Sequence, residues 1–405
     1  MSEIDRNRAV TLMGAEGIEA MVLFRPEAFR YATGLAAGVA TMWGRAGAAI
    51  ALVPADPGGP LAAIMSDHAA GQERPFDIRT HRIWIDAVDA TGATSVGEID
   101  AAYRRNGNLG PRAETFDQDA CFRLLADLLA ERGLSHATLG ADLDFLPAAD
   151  FARLREILPH VVWRDASDVL RRLRLIKTPR EIDRLQRAAS AAEAGLEALR
   201  GAARPGAVVA DLSAAWLSGA RAAASAAGFA LSGHWDYISI GPDLARTTSP
   251  LGDGDLIKAD VGTLVDGYSS DGARTFAWKT VSPLAADIYK ALLETFMAGM
   301  EVLRPGRSFG EVHQTMLATM RRNGFSEYDR GHFGHSVGAA AGIEEWPFLS
   351  NTNPLLIEPG MVLALEAPFY AQGIGALMIE EQFLITEAGA STMNRLPRDL
   401  VVLGG

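Results

Sequence analysis

The feature that most limits how this chain can fold is a repeated set of breaks. A helical pattern over residues 284–303 stops at Arg304-Pro305-Gly306, and an earlier one, over residues 180–200, stops at Arg204-Pro205-Gly206. A second helix follows each break, near residues 208–227 and 310–323, and these close on Gly228-Phe229 and Gly324-Phe325. Strand-like sequence comes next in both cases. Self-similarity at this spacing predicts two related α+β halves packed about a pseudo-twofold axis, with a site expected where their sheets meet.

The residues ahead of the repeat read differently. Helical patterns to about residue 17 and over 118–132 and 148–158 alternate with strand patterns at 20–24, 48–53, 61–65, 81–85, 137–141 and 161–164. That alternation predicts an α/β domain with a mixed sheet. It carries no glycine fingerprint for a nucleotide and no cluster of His, Cys or acids at ligand spacing. The helix-start signal Thr178-Pro179 lies in a charged, glycine-free segment, and the boundary is expected near Leu173, giving domains of 1–172 and 173–405 in a chain of 405 residues. A net charge of −12 argues against a nucleic-acid partner, which needs a clustered basic face. No apolar run is long enough to span a membrane. The single Cys121 cannot form an internal disulfide, which fits a cytoplasmic protein, and its place on an amphipathic helix predicts packing rather than reactivity.

Within the repeat, residues 255–278, DLIKADVGTLVDGYSSDGARTFAW, form two strand-like runs joined by Asp266-Gly267. That dipeptide favours the tight hairpin turn with positive φ at both central residues. Pairing across it sets Gly262 opposite Asp271 and makes Asp260 and Asp271 diagonal neighbours, within about 7–8 Å at the backbone. Two carboxylates aimed at one another repel unless a proton or a cation lies between them. The later half offers a counterpart: Glu366 and Glu380 interrupt apolar strands and are equidistant from Gly373, so a hairpin centred there brings them opposite each other. In GHFGHSVG, glycines at 331, 334 and 338 bracket His332 and His335, and such density lets backbone approach a ligand closely.

In this order, two aspartates eleven apart, then G-H-x-x-G around His335, then G-M-x-x-x-x-E ending at Glu366, then I-E-E with Glu380, the chain resembles the family of methionine aminopeptidase, aminopeptidase P, prolidase and creatinase, the pita-bread fold. Tyr31 to Gly34, YATG, and the junction LRLIKTPREI at 173–182 resemble the prolidase and creatinase branch, which carries an extra N-terminal domain. The resemblance implies a homodimer built of an α/β N-terminal domain and an α+β pita-bread catalytic domain with a pseudo-twofold repeat. It also implies two divalent metal ions held by Asp260, Asp271, His335, Glu366 and Glu380, with Asp271 and Glu380 bridging and Glu366 taking a proton from the attacking water. Four carboxylates and one imidazole suit Mn, Co, Fe or Zn and do not choose among them; such a pair of ions activates water and polarises a carbonyl.

Around that set the chain departs from the family pattern. Thr247 or Thr248 stands where peptide-cleaving members carry a histidine, Glu344 replaces a second histidine, the loop AAAGI at 339–343 is longer, and Met378 replaces a substrate-holding arginine. His332 and His234 are candidate stand-ins. Glu344, with Trp346, Phe348, Trp235 and Tyr237 as an aromatic wall, would favour a cationic group by about 0.5–2 kcal/mol through cation–π contact. The leading expectation is a metal-dependent hydrolase resembling Xaa-Pro dipeptidase or aminopeptidase P, acting on a C–N bond of a short peptide or peptide-like compound, with weak or no cleavage of proline peptides. Two alternatives stand beside it. One is a non-peptidase member, a creatinase-like hydrolase or a lyase similar to the dimethylsulfoniopropionate lyases, which the segment IEEWP at 343–347 resembles. The other is a non-catalytic binding module, against which the complete ligand set argues.

Overall fold

The chain divides into two compact units, Met1–Leu173 and Arg174–Gly405, in a computed structural model that describes residues 2–71, 76–105, 111–339 and 344–405. The first unit carries strands β1 (Ala20–Leu23), β2 (Ile50–Pro54), β3 (Ala62–Ser66), β4 (Asp77–His81), β5 (Thr138–Ala141) and β6 (Val162–Asp165). Its helices are α1 (Arg6–Ala15), α2 (Pro26–Thr33), α3 (Val96–Arg105), α4 (Gln118–Glu131), α5 (Ala148–Ile157) and α6 (Ser167–Leu175), the last crossing the division. The sheet runs β4-β3-β2-β1-β5-β6 and mixes parallel with antiparallel pairs. Every residue of β1, β2 and β3 is buried, because one apolar cluster covers each face; strands covered on both faces read as unbroken apolar runs. Cys121 is buried inside α4, and burial pushes its thiol pKa up.

The edge strand corrects the sequence reading. Pairing was expected at 81–85, but the strand is Asp77–His81, polar and half-exposed, parallel to β3. Ile83 makes only an isolated bridge to Phe116 and fills a small cluster with Ala40 and Ala48. Burial claims the apolar residues there, while the edge needs only backbone groups to pair.

In the second unit, α7 (Pro179–Ala202) and α8 (Val209–Ala226) precede β7 (Gly233–Ile240), β8 (Leu256–Val265), β9 (Tyr268–Ser269) and β10 (Ala273–Trp278). Then α9 (Pro283–Val302) and α10 (Phe309–Arg322) precede β11 (His332–Ser336), β12 (Glu345–Ser350), β13 (Val362–Ala371) and β14 (Gly375–Thr386). The sheet order β12-β11-β13-β14-β10-β8-β7 makes β10 and β14 the central antiparallel pair, flanked by hairpins that correspond across it. The repeated breaks adopt one geometry. Gly206 and Gly306 have φ of +80° and +82°, and their amides donate to the carbonyls of Leu251 and Ile357 at 2.9 and 3.0 Å. Leu251 and Ile357 donate back to Ala207 and Arg307. The equivalence continues to Gly254 and Gly360, with φ of +86° and +87°, and so pairs Asp260 with Glu366, each six residues further on.

Alternation then divides the strands. Ile257, Ala259, Val261, Phe276 and Trp278 pack with α7 and α8, while Leu363, Leu365, Ala367, Leu377 and Ile379 pack with α9 and α10. The intervening residues, Lys258, Asp260, Glu366, Met378 and Glu380 among them, point to the opposite face. On that face Gly262 lies opposite Trp235, and a Cβ on it would come within 2.2 Å of the Ser270 carbonyl oxygen and 2.4 Å of the Trp235 ring. Gly262→Ala is therefore expected to cost about 1–3 kcal/mol, the usual penalty of overpacking, and to shift Trp235 fluorescence; an unchanged urea midpoint and spectrum would show that the indole has room.

Candidate metal centre

Two hairpins and one glycine-bracketed strand assemble this site. Asp266 and Gly267 both have positive φ, 50° and 78°, so the turn forms as the dipeptide dictates. Leu264 pairs with Ser269 and Asp260 with Ala273, which keeps one register through both ladders and leaves Asp271 in the gap between β9 and β10. Its amide donates to Gln382 Oε1 at 3.3 Å. In the second half Glu366 stands directly opposite Glu380, and the hairpin closes through Ala371 and Gly375 around Gly373. On its other side Glu380 faces Ala273, which brings the two acidic hairpins edge to edge. His335 enters from β11, opposite Ala364 on β13 and Phe348 on β12. Gly334 before it has φ +136°, and a Cβ there would lie 2.1 Å from the Ala364 carbonyl; only glycine lets the strand approach so closely.

Asp271, His335 and Glu380 each offer a ligand atom, and these atoms lie within 4.8 Å of one another. His335 Nε2 is 3.4 Å from Asp271 Oδ2 and 3.9 Å from Glu380 Oε1. Its Nδ1 lies 2.9 Å from the Ser336 carbonyl, which can only accept, so the neutral ring carries its proton on Nδ1 and turns the Nε2 lone pair toward two carboxylates. Burial, then the charges of neighbouring acids, push the pKa values of Asp271 and Glu380 well above the carboxylate range. Burial also raises Asp260, against the pull of Lys258. Asp271 Oδ1 and Glu366 Oε1 are buried without a hydrogen-bond partner. A lone pair facing carboxylates, acids forced toward protonation and orphaned oxygens all fit a divalent cation held by Asp271, His335 and Glu380.

Asp260 and Glu366 have other partners. Lys258 Nζ lies 3.1 Å from Asp260 Oδ2, and Arg330 Nη2 lies 2.7 Å from Glu366 Oε2. Burial opposes ionisation of Glu366 most strongly, but His332 and Arg330 together hold its pKa below the ordinary value. His332 Nδ1 is 3.2 Å from Glu366 Oε1 without the alignment of a hydrogen bond, and its Nε2 is 3.6 Å from the half-exposed Glu344. The Phe348 ring lies beside both histidines, tilted against His332 and edge-on to His335, with centroids 5.2 and 6.4 Å away.

The remaining candidates divide by face. Trp235 and Tyr237 lie opposite Gly262 and Asp260, with ring centroids 5.8 Å apart, and so stand on the acidic face. Met378, two residues from Glu380 on the same face, is buried with its sulfur 3.7 Å from the Tyr370 hydroxyl. His234 is corrected: it shares the face of Ile238 and Ile240 and lies 6.2 Å from Trp216 of α8, so alternation removes it as a stand-in histidine. Trp346 is half-buried, packs against the apolar cluster of α9 and α10, and stands two residues from Phe348 on β12. Thr247 and Thr248 lie in an exposed loop, and the lengthened loop at 340–343 falls outside the described residues. Lys258, Arg330 and Tyr370 were missed. Lys258 carried a usable signal, a charge interrupting an apolar strand two residues before Asp260; Arg330 and Tyr370 carried none beyond their nearness to the motif.

Compared with known proteins, residues 167–387 match the model of metallopeptidase family M24, and residues 6–176 match the creatinase/prolidase N-terminal domain. An Xaa-Pro dipeptidase of Pyrococcus horikoshii is 30% identical over 247 residues, 59% of this chain and 68% of that protein. An Xaa-Pro dipeptidase of Lactobacillus helveticus is 27% identical over 292 residues, 71% of this chain and 78% of its own. The solved Xaa-Pro dipeptidase from Bacillus anthracis superimposes with a TM-score of 0.77 at 21% identity, covering 98% of this chain and 99% of that one, a likeness of fold.

Alternation separates the neighbours Glu380 and Glu381 and makes them opposite tests. Glu380→Gln is expected to raise the melting temperature of the metal-free protein, by relieving repulsion, while weakening metal uptake. Glu381, buried on the helix side against Arg274 and Arg398, should on conversion to Ala cost about 3–5 kcal/mol and leave the number of ions bound unchanged. Calorimetry of metal-free and metal-loaded protein distinguishes them; equal behaviour of the two variants would contradict the assignment of faces.

Proposed function

The chain belongs to metallopeptidase family M24, and from that membership and the geometry of its buried acids we propose that it hydrolyses the C–N bond of a short peptide in a metal-dependent reaction. The observation that carries the reading is the convergence of Asp271, His335 and Glu380 next to an acid, Glu366, that the surroundings keep ionised. A bound divalent ion supplies a Lewis acid for the scissile carbonyl and a lowered pKa for water. His335 is oriented for its part by the Ser336 carbonyl. Glu366 is the proton acceptor in this reading: Arg330 fixes Oε2, which leaves Oε1, without a hydrogen bond, to take the proton and pass it to the leaving amine. A second ion, implied by the resemblance, would have to draw Asp260 and Glu366 away from Lys258 and Arg330.

The relatives named above as Xaa-Pro dipeptidases support a dipeptide substrate, and the lyase alternative draws no support from them. Met378 in place of a carboxylate-holding arginine, and Glu344 beside His332, favour a substrate engaged through its free amine rather than clamped by its carboxylate. Tyr237 and Trp235 would contact its side chain. The same reading carries a homodimer, from the resemblance, and a cytoplasmic location, from the lone Cys121; among the described residues no helix is long and apolar enough to cross a membrane.

The test is a panel of dipeptides with and without C-terminal proline, assayed with Mn²⁺, Co²⁺, Fe²⁺ and Zn²⁺ after chelator treatment. Activity is expected to vanish with the metal and return on its addition, with proline peptides the weaker substrates. Glu366→Gln is expected to lower kcat by about 10²–10⁴-fold, the usual contribution of a general base, with metal content retained. Cleavage that survives the chelator, or a Glu366→Gln enzyme of ordinary kcat, would overturn the proposal.

A further inference from the structure

The acidic face already carries part of the positive charge it needs. Lys258 is nearly inaccessible, its side chain 6% exposed, and its ammonium is enclosed between Asp260 Oδ2 at 3.1 Å and the ring of Tyr370, 5.8 Å to the centroid. It comes from the same strand as Asp260 and, being two residues away, necessarily points to the same face. Across the pseudo-twofold, Glu366 occupies the position equivalent to Asp260, and it too holds an organic cation, Arg330 at 2.7 Å. The two equivalent acids are thus paired to side chains, whereas among the described residues Asp271 and Glu380 have no ion pair to a Lys or Arg and face the Nε2 lone pair of His335.

Charge balance follows from this arrangement. Asp260, Asp271, Glu366 and Glu380 bring four negative charges, Lys258 and Arg330 bring two positive ones, and His335, with its proton on Nδ1, brings none. One divalent ion makes the site neutral. A second would leave two uncompensated positive charges in a set of side chains of which Lys258, Asp271, Glu366 and Glu380 are buried and Asp260 and Arg330 are 14% and 24% exposed, where an unpaired charge is costly, and it would compete with Lys258 for Asp260.

Building on the metallopeptidase reading above, we propose that Lys258 is a built-in cation standing in for the second metal ion, so that the centre takes up a single divalent ion at Asp271, His335 and Glu380. Lys258 is then a positioning residue: it neutralises Asp260 and holds it away from a bridging role. The consequence reaches the chemistry, since orientation of the substrate on the Asp260 side is left to an ammonium and to Tyr237 and Tyr370 rather than to a metal.

The experiment is metal uptake by the metal-stripped full chain, titrated with Mn²⁺ and followed by elemental analysis, calorimetry and electron paramagnetic resonance. The wild type is expected to bind one Mn²⁺ per chain, with the hyperfine pattern of an isolated ion. Lys258→Met removes the ammonium and is expected to bind two, with the signal of an exchange-coupled pair. Lys258→Arg keeps the charge and is expected to stay at one, which keeps the proposal testable if the methionine variant does not fold. Two ions of similar affinity in the wild type, a folded Lys258→Met that stays at one, or a Lys258→Arg that takes up two would overturn it, while leaving the metallopeptidase reading intact. A wild type that cleaves dipeptides and binds no Mn²⁺, Co²⁺, Fe²⁺ or Zn²⁺ would instead remove that reading, and this inference with it.

Discussion

Repulsion among four carboxylates on one face of a sheet, three of them buried and Asp260 nearly so, is the interaction around which the second unit is organised. Two like charges about 4 Å apart repel by about 4 kcal/mol at the effective dielectric of a protein, and burial adds to the cost. The structure answers in two ways. Asp260 and Glu366 are each given a side-chain cation, while Asp271 and Glu380 are left to one another and His335, and their pKa values rise accordingly. An acid pair in that condition binds either protons or a metal ion, so the same repulsion that costs stability without a cation would favour the uptake of one.

The frame that tolerates such a site is assembled on the opposite face. There the strands bury their alternate residues against four helices, in clusters whose members are almost completely inaccessible. The pseudo-twofold makes this economical in sequence: one helix–helix–hairpin plan, with glycines in matching left-handed conformations, is used twice, and the site forms where the two hairpins meet at Ala273 and Glu380. His335 is the exception to the symmetry. It reaches the site because Gly334 lets β11 run against the Ala364 carbonyl more closely than any side chain would allow.

What could be read in the sequence was arithmetic; what could not was side-chain partnership. Equidistance from Gly373 placed Glu366 opposite Glu380, and the Asp266-Gly267 turn placed Asp260 and Asp271 as diagonal neighbours, because register in a hairpin is fixed by its turn and by period-2 alternation. The repeated Arg-Pro-Gly and Gly-Phe breaks foretold the two halves for the same local reason. Lys258 and Arg330 escaped because a charge beside an acid motif reads as a solvated residue until its burial is known. His234 misled because residue type was weighed ahead of face, and the strand at 77–81 because apolar content was weighed ahead of the backbone pairing that an edge requires.

Register also explains why two glutamates stand side by side in β14. A slip of one residue would carry Glu380 to the helix side and Glu381 into the centre, and would take Leu377, Ile379, Phe383 and Ile385 out of the helix-packed cluster with it. Glu381 adds a polar reason for the same register. Its Oε1 accepts from Arg274 Nη2 at 2.6 Å and Arg398 Nε at 2.9 Å, and its Oε2 from Arg398 Nη2 at 2.6 Å. Arg274 Nη1 also donates to the Glu380 carbonyl at 2.9 Å. These bonds form in one register only, and losing them would strand a buried guanidinium and a buried carboxylate. A buried ion pair often adds little net stability over an apolar substitute, but here it has a use apolar packing could not supply: it distinguishes two adjacent, chemically identical side chains and commits Glu380 to the acidic face.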